Sequence, residues 1–303
     1  MNDHYELLSA AETWQILKCH EFAEGILGQG GEATLGRADL YNPPELWKPY
    51  CRTLGPWFPE ELDYLYALEQ NTDPWMQARK HFVGGSAVSV LTHQSKYLTA
   101  AQWVRANMNF YNETWRDPDS NYLICQHGHE FEAVTELFFQ KITGLTMDHP
   151  GIMVHPIIPY MAVSPDAKGL RFASEYKSLH HKTLDDLGDY EGQGQSQCEV
   201  MDVPVQYLTS SWIHGNGVEL SIQMVERNRQ YFHDFMMPLI DETLTALEHH
   251  DFDFKSKLAH KIKKPEVKVL DIFYCKFDRQ ELLRAMEACK VPLEWRERVL
   301  CNS

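Results

Sequence analysis

The sequence predicts an α/β protein in which a mixed central sheet is flanked by helices, with helical segments added at both ends of the chain. The order of predicted elements leads to this class: helices, then short strands around a charged motif, then a helix, a hairpin and a long helix. The hairpin signal is His214-Gly215-Asn216-Gly217, which separates two segments of alternating apolar and polar residues. No internal repeat or low-complexity tract interrupts this order.

The first part of the chain is expected to contain two helices separated by loops. Ser9-Ala10-Ala11-Glu12 fits a capping box, so a helix is predicted from Ser9 to Cys19. Glycine and proline are frequent from Gly25 to Pro59, which indicates loops and short turns. The second helix is expected to begin at Pro59 and to reach Gln70, because proline is favoured at the first helical position.

Ser86 lies at the predicted start of a helix that runs from Ala87 to Leu91. The simplest interpretation is that its side chain caps the helix. The functional alternative is a phosphate site, because a helix start has free N–H groups and Arg79 lies nearby in the sequence.

A further helix is predicted from Thr99 to Asn109, and a long one from His127 to Thr143, where Gly144 ends it. Side chains on a helix project together only when they are three or four positions apart. Glu130, Glu132 and Glu136 therefore cannot all share one role.

The charged motif lies among short strands, which are predicted at Met153–His155, Ile157–Val163 and Arg171–Lys177. In the last strand, Glu175 and Lys177 point to one face and Tyr176 points to the other, because side chains alternate. Ser164 and Pro165 favour a turn, and a hairpin return would bring the carboxylate of Asp166 beside that of Glu175.

Two carboxylates placed in this way repel each other unless a hard cation lies between them, and Mg²⁺ readily takes such oxygens. A lysine two residues further along the strand can hold or deprotonate a water beside the metal. This is the layout of a metal-dependent phosphodiester hydrolase. The simpler alternative is a solvated strand end with an exposed ion pair, and the spacing by itself favours that alternative.

The rest of the chain is predicted to continue with a helix within Thr183–Asp202, although Gly192 and Gly194 each cost about 1 kcal/mol in a helix interior. Six lysines crowd between Lys255 and Lys268, which indicates a solvated tail or, alternatively, an arm that follows phosphates. The remaining predicted elements are strands at Val205–Trp212 and Val218–Val225, and helices at Arg227–Glu248, Asp278–Cys289 and Pro292–Leu300.

Composition narrows the class of protein. A chain of 303 residues that is 44% hydrophobic can bury a substantial core. No apolar run approaches the ~20 residues of a membrane span, and the first residues do not resemble a signal peptide, so a soluble intracellular protein is expected. The 7 cysteines are scattered and never spaced as C-x-x-C, which argues against a zinc ribbon, an iron–sulfur cluster or a disulfide framework.

The formal net charge of -15 opposes casual binding to nucleic acid, because phosphate contacts require lysine and arginine. Any DNA site must therefore be a local basic surface, such as an enclosed channel. Charge alone leaves open the alternative that no nucleic acid binds.

Four sequence blocks, between about Glu69 and Glu248, resemble the family of lambda exonuclease and the YqaJ-like viral recombinases. This family includes the herpesvirus-type alkaline nucleases and lies in the restriction-endonuclease-like PD-(D/E)xK superfamily. The blocks are Glu69-Gln70 with Asp73, Trp75, Arg79 and Ser86; Gly128 to Glu132 followed by Thr143-Gly144; Ser164-Pro165-Asp166 with Glu175-Tyr176-Lys177; and Tyr190 with Gln193 and Gln195.

The resemblance implies a role for each matching residue. Asp166, Glu175 and the backbone carbonyl of Tyr176 are expected to bind Mg²⁺ or Mn²⁺, and Glu132 to support the metal directly or through water. Lys177 is expected to position and activate the attacking water and to neutralise charge on the phosphorane. The other implied roles are phosphate binding by Arg79 and Ser86, and orientation of the water or of Lys177 by Gln193.

The activity implied is that of a Mg²⁺-dependent 5'-to-3' exonuclease that acts on duplex DNA ends and exposes 3' single strands for recombination or viral DNA processing. The resemblance further implies a single-strand annealing protein as partner, no membrane, and a location in the cytoplasm or in the nucleus of an infected cell. Some relatives form a ring-shaped trimer around DNA, and others act as monomers.

Two alternatives remain beside this activity. One is a monomeric endo/exonuclease of the alkaline-nuclease type that also cuts RNA. The other is a catalytically inactive nucleic-acid-binding module on the same fold. The expected division of the chain is an N-terminal extension at residues 1–60, a nuclease core at 61–250 and a Lys-rich C-terminal extension at 251–303, packed on the core.

Overall fold

A computed structural model describes residues 59–79, 82–96, 98–108, 122–179, 182–183, 188–249, 251 and 253–301. The predicted helix from Ser9 to Cys19, the loops that precede Pro59 and nearly all of the expected N-terminal extension lie outside these ranges.

The described residues form an α/β structure. Its helices are α1 (Pro59–Ala67), α2 (Asp73–Arg79), α3 (Gly85–Leu91), α4 (Ala100–Met108), α5 (Tyr122–Thr143), α6 (Glu191–Val200), α7 (Met237–Glu248), α8 (Arg279–Ala288) and α9 (Leu293–Cys301). Its strands are β1 (Val83–Gly84), β2 (Met153–Val154), β3 (Met161–Val163), β4 (Ala167–Lys168), β5 (Phe172–Leu179), β6 (Val205–His214), β7 (Gly217–Glu226) and β8 (Val269–Asp278).

The central sheet has five strands in the order β4-β5-β6-β7-β8. Strands β5 and β6 are parallel, because the helix α6 connects them, and the other neighbours are antiparallel. A smaller sheet has the order β1-β3-β2, in which β1 and β3 are parallel. The prediction of a mixed sheet flanked by helices is therefore confirmed.

Strand β8 was not predicted from the sequence. It directly follows the Lys-rich segment and pairs with β7 over nearly its whole length. Its sequence, VLDIFYCKFD, is rich in the apolar and aromatic residues that favour strands, and Cys275 and Phe277 are buried. The central sheet therefore extends past residue 250, where the nuclease core was expected to end.

Both faces of the central sheet are covered. On one face, α5, α8 and α9 pack over an apolar cluster that includes Phe139, Tyr176 and Trp295. On the other face, α3 and α7 pack over a second cluster that includes Leu208 and Leu239. Because Tyr176 belongs to the first face, its neighbours Glu175 and Lys177 must project towards the second, as strand alternation predicts.

Several predicted helix boundaries were wrong. The long helix α5 begins at Tyr122, before the predicted start at His127, although it ends at Thr143 as predicted. The helix expected within Thr183–Asp202 is confined to α6, after a short 3₁₀ turn at Gly188–Tyr190. The predicted helix from Arg227 begins later, as a π-helical turn at Tyr231–Met236 that continues into α7.

The Lys-rich segment is held against α7 by Glu242. The Glu242 carboxylate accepts hydrogen bonds from the Ser256 hydroxyl and, at 2.7 Å, from the backbone N–H of Lys257. Leu258 and Ile262 pack against the second apolar cluster. The alternating polar and apolar residues explain why one side of this segment is packed and its lysines are exposed.

None of the helices in the described part of the chain combines the length and the apolar character that a membrane span requires.

His155, in the loop between β2 and β3, is a buried histidine with a fixed protonation state. Its Nδ1 atom accepts hydrogen bonds from the backbone N–H groups of Ile157 and Ile158, each at 3.0 Å, and its ring is stacked on Phe232. Burial, with a smaller contribution from the positive charge of Arg227, lowers the pKa of His155 to about 4. Protonation of Nδ1 would also place a hydrogen between two donors.

We expect the stability of the protein to fall as the pH drops below about 6.5. Below that pH His155 is protonated in the unfolded chain, whereas in the folded protein it stays neutral down to about pH 4. This residue alone should therefore lower the free energy of unfolding by about 2 kcal/mol between pH 8 and pH 5. His155→Asn places its Oδ1 atom where Nδ1 lies, so it should keep the turn but lose this pH dependence.

Urea unfolding at pH 8 and pH 5 measures the free energy of unfolding of the wild-type protein and of this variant. The control is His249→Asn, because His249 is exposed. An unchanged pH dependence in His155→Asn would contradict the assignment.

Candidate active site

A cleft of about 480 Å³ lies where α2, α3, α5, α6 and the β4–β5 hairpin meet. The structure brings together in this cleft side chains that are widely separated in the sequence. The seven residues whose side chains were predicted to form the site all line it: Arg79, Ser86, Glu132, Asp166, Glu175, Lys177 and Gln193.

Asp166 and Glu175 face each other across the β4–β5 hairpin. Ala167 pairs with Ser174 in the antiparallel register, so the residues on either side of this pair, Asp166 and Glu175, are neighbours. The Asp166 Oδ2 atom accepts a hydrogen bond of 2.6 Å from the backbone N–H of Tyr176. Burial, together with the negative charge of Glu175, raises the pKa of Asp166 well above its usual range. The solvated strand end considered above is therefore wrong, since Glu175 is only 2% exposed.

Lys177 is a cation that the structure places beside Glu175 and near Asp166. Its Nζ atom donates to Glu175 Oε1 and lies 5.5 Å from the centre of the Tyr190 ring. Burial by itself would lower the pKa of Lys177, but the charges of Glu175 and Asp166 outweigh burial and raise it. Lys177 is consequently an ammonium group that donates hydrogen bonds.

Two glutamine side chains of helix α6 also hold the Glu175 carboxylate. Gln193 Nε2 donates to Glu175 Oε1 at 2.6 Å, and Gln197 Nε2 donates to Oε2 at 2.5 Å. The hydrogen bond that the structure shows for Gln193 therefore goes to Glu175, whereas the resemblance implied an action on the water or on Lys177. Gln197 was not predicted as a site residue, because the sequence does not reveal which side of α6 faces the sheet.

Glu132 of α5 lies at the cleft wall. Its negative charge raises the pKa of both Asp166 and Lys177, so it lies close to them although no direct hydrogen bond joins it to either side chain. A hydrogen bond with Glu132 raises the pKa of His129. Glu136 is four residues further along, on the same side of α5, but it pairs with His149 at 2.7 Å. A contact outside the helix, and not the helical period, therefore separates its role from that of Glu132.

Arg79 and Ser86 form a second polar site in the cleft. The Arg79 guanidinium lies over the Trp75 ring, 4.4 Å from its centre, and donates to Ser86 Oγ at 3.1 Å. Burial lowers the pKa of Arg79, and no carboxylate of the described residues lies within ion-pair distance of it. The interpretation of Ser86 as a helix cap is wrong: Gly84 occupies the N-cap position of α3, and Ser86 lies inside the helix.

Two residues of the first sequence block position the loop that contains Asp166. Gln70 Nε2 donates to the carbonyl oxygens of Pro150 and Pro165, both at 2.9 Å. Trp75 Nε1 lies 3.2 Å from Ser164 Oγ, to which it donates. Sequence reasoning did not assign these roles. The only signal was the presence of both residues in the block that contains Arg79.

The neighbouring loop approaches the end of α1 closely. The N–H groups of Gly151 and Ile152 donate to the carbonyls of Tyr66 and Leu65 at 2.7 Å and 2.9 Å. A Cβ atom on Gly151 would lie 2.2 Å from the Leu68 carbonyl oxygen, so only glycine fits there.

The donor set fits a divalent cation of the Mg²⁺ type. Asp166 and Glu175 offer two neighbouring carboxylates, of which Glu175 is buried, and the Tyr176 backbone belongs to the same hairpin. Among the described residues, no three side chains of histidine, cysteine, aspartate or glutamate converge as a complete metal cluster. Protein sites for Mg²⁺ commonly use only one or two carboxylates, with water and substrate phosphate as the other ligands.

Part of the chain matches a known protein family. Residues 74–208 match the YqaJ-like viral recombinase domain, which confirms the resemblance seen in the sequence blocks. Two solved structures of an alkaline exonuclease from Laribacter hongkongensis, one of them in complex with dAMP, are similar to this chain. In each comparison the sequences are 18% identical and the TM-score is 0.48, and the matched region covers 59% of this chain and 94% of the other. No curated protein sequence matches the chain.

Proposed function

We propose, from the premise that residues 74–208 belong to the YqaJ-like viral recombinase family, that this protein is a Mg²⁺- or Mn²⁺-dependent deoxyribonuclease. It digests one strand of duplex DNA from the 5' end and leaves a 3' single strand. The observation that carries the proposal is the convergence of Asp166, Glu175 and Lys177 in one cleft that also contains Arg79. Hydrolysis of a phosphodiester requires a water nucleophile and a cationic environment for the phosphate, and this cleft offers groups for both.

Asp166 and Glu175 would hold the cation, together with the Tyr176 carbonyl, and Glu132 would contribute through water. When bound, the cation supplies Lewis-acid activation of a phosphoryl oxygen and lowers the pKa of its water. The protein's own part is to keep the two carboxylates fixed. Asp166 is held by the Tyr176 N–H, and Glu175 is held by Gln193 and Gln197.

Lys177 acts as a fixed positive charge beside the reacting phosphate. Its ammonium is held by Glu175 and lies near the Tyr190 ring, which limits its motion. It donates hydrogen bonds to the attacking water and to the phosphoryl oxygens as their negative charge increases, and such fixed donors stabilise a transition state. Because its pKa is raised, we assign it this electrostatic role rather than that of a general base.

The pair of Arg79 and Ser86 supports the choice of an exonuclease. A guanidinium that is stacked, partly buried and free of a carboxylate partner among the described residues is suited to a phosphate dianion. A terminal 5' phosphate carries more negative charge than an internal phosphodiester. A site for it beside the metal ligands would select strand ends.

The direct test is digestion of linear and covalently closed circular duplexes by the purified protein, with Mg²⁺ and with a chelator. We expect release of a label from the 5' end of the linear duplex only, and only with Mg²⁺. Cleavage of the circle, or of an RNA duplex, would favour the endo/exonuclease alternative. Binding without cleavage would identify an inactive module, and either result would overturn the exonuclease proposal.

Arg79→Ala is expected to impair digestion of 5'-phosphorylated ends about 10- to 100-fold and to have little effect on 5'-hydroxyl ends. The expected loss corresponds to one or two charge-assisted hydrogen bonds. The measurement is the ratio of kcat/KM on the two kinds of end.

The control for this variant is Arg298→Ala, because Arg298 also lies over a tryptophan, at 4.7 Å from the Trp295 ring, but outside the cleft. Equal losses on phosphorylated and hydroxyl ends in Arg79→Ala would remove the phosphate-binding role.

A further inference from the structure

Behind Glu175 lie two buried amide side chains that the proposed reaction does not use directly. Gln197 of α6 and Gln206 of β6 are 1% and 2% exposed. Gln206 Nε2 donates to Gln197 Oε1 at 2.7 Å, and Gln197 Nε2 donates to Glu175 Oε2 at 2.5 Å. The three side chains therefore form a continuous line of hydrogen bonds from the sheet to the carboxylate.

This line can run in only one direction. An ionised carboxylate accepts hydrogen bonds and cannot donate them, so Gln197 must turn its Nε2 atom towards Glu175. Its Oε1 atom then faces away from the cleft and needs a donor, which Gln206 supplies. Without that donor, the Gln197 amide would lose its preference for the orientation that serves Glu175.

A glycine in α6 makes room for the line. A Cβ atom at position 194 would lie 1.8 Å from Gln206 Oε1, so any side chain there displaces the Gln206 amide. Glycine is unfavourable inside a helix, and Gly194 lies within α6. The close approach of Gln206 explains why a glycine stands at position 194 despite this cost.

We propose that Gln206 and Gln197 are positioning residues for the metal ligand Glu175, and that Gly194 is required because it admits the Gln206 side chain. The inference rests on the proposed function, because it assigns Glu175 to the cation. Buried partners of a metal ligand fix the direction of its lone pairs, and their loss typically weakens metal affinity or activity 10- to 100-fold. Two further donors, Gln193 and Lys177, occupy the other oxygen of Glu175, so Gln197 is the partner that fixes Oε2.

The first test compares Gly194→Ala with Gly192→Ala. Both changes favour the helix, but a Cβ atom at position 192 meets a Val88 methyl group at 3.1 Å rather than Gln206. We expect Gly194→Ala to weaken Mg²⁺ affinity about 10-fold or more, as measured by calorimetry without DNA. It should also lower kcat at subsaturating Mg²⁺ while the KM for DNA stays unchanged. Gly192→Ala should retain the affinity of the wild-type protein.

The second test removes the amides themselves. Gln206→Met should weaken Mg²⁺ affinity as Gly194→Ala does, and it should add nothing in a Gln197→Met background, because the two amides act in series. The control is Gln195→Met. Gln195 is equally buried on the same helix, but it binds the Glu226 carbonyl and the Asn228 N–H instead of Glu175, so its loss should lower Tm and leave Mg²⁺ affinity unchanged.

Three results would overturn the inference: wild-type Mg²⁺ affinity in both Gly194→Ala and Gln206→Met, equal losses in their controls, or additive losses in the double variant. If only one of the two variants folds, its affinity decides the outcome. If the wild-type protein binds Mg²⁺ and cleaves DNA, and the Mg²⁺ affinity of these variants equals that of the wild type, only the positioning role is refuted. A wild-type protein that neither binds Mg²⁺ nor cleaves DNA would refute the proposed function as well.

Discussion

Lys177→Met is expected to reduce kcat for DNA digestion by about 10³-fold or more. The methionine keeps most of the side-chain volume but removes the ammonium, which is the fixed positive charge that the described residues place beside Asp166 and Glu175. Affinity for Mg²⁺ should be retained or increased, since the variant no longer holds a competing cation against Glu175. Single-turnover digestion and calorimetry with Mg²⁺ measure the two quantities separately.

The same variant should be less stable than the wild-type protein when no metal is present. Glu175 is buried and accepts a hydrogen bond from Lys177, so the variant leaves its charge without that partner. Addition of Mg²⁺ should restore part of the lost Tm. Lys276→Met is the matched control, because Lys276 of β8 pairs with Glu219 of β7 at 2.7 Å and the lysine side chain is exposed. Substantial digestion by Lys177→Met would refute the electrostatic role.

Asp166→Asn is expected to abolish Mg²⁺-dependent digestion, by about 10³-fold or more, and yet to stabilise the metal-free protein. The amide can still accept the hydrogen bond from the Tyr176 N–H, but it carries no charge for a cation. Burial and the charge of Glu175 raise the pKa of Asp166, so its ionisation opposes folding. The variant removes that penalty, which corresponds to a rise in Tm of roughly 2–4 °C for each ~1 kcal/mol.

The pH dependence of this effect has a definite sign. A carboxyl group with a raised pKa in the folded state stabilises the fold most at low pH, and this stabilisation is lost as the pH rises through the folded pKa. The Tm advantage of Asp166→Asn over the wild-type protein should therefore increase from pH 4 to pH 8. Asp253→Asn, an exposed change outside the cleft lining, is the control. A lower Tm for Asp166→Asn at pH 8 without metal would contradict the assignment of Asp166 as an unfavourable buried charge.

The prediction of the charged hairpin succeeded because its determinants are local. Strand alternation places Glu175 and Lys177 on one face, and the hairpin return brings Asp166 opposite Glu175 within a few residues. The turn itself lies after Gly169, whose N–H donates to the Phe172 carbonyl, and not at Ser164-Pro165, where the sequence favoured one. The long helix, the β6–β7 hairpin and the final two helices were also recognised, because their apolar periods or turn residues are strong. The helix boundaries were less accurate: α5 begins at Tyr122 and not at His127.

Other features depend on contacts that sequence patterns do not contain. Strand β8 has a strand-forming composition, but its place at the edge of the central sheet is set by its hydrogen bonds to β7. Ser86 has the residue type of a helix cap, but α3 begins at Gly85, which packs closely against α6, and the Ser86 hydroxyl accepts a hydrogen bond from Arg79. In both places, a partner distant in the sequence decides the outcome.

The sequence by itself determined the class of fold, the four blocks of the family and the three groups of the charged hairpin, because each follows from spacing along a short stretch of chain. Only the tertiary structure decided that Gln197 and Gln206 support Glu175, that Gln70 and Trp75 hold the Asp166 loop, and that Arg79 meets Ser86. A hydrogen bond between buried side chains depends on distance and direction in space. Those are set by the packing of α2, α3 and α6 on the sheets, and no local pattern encodes them.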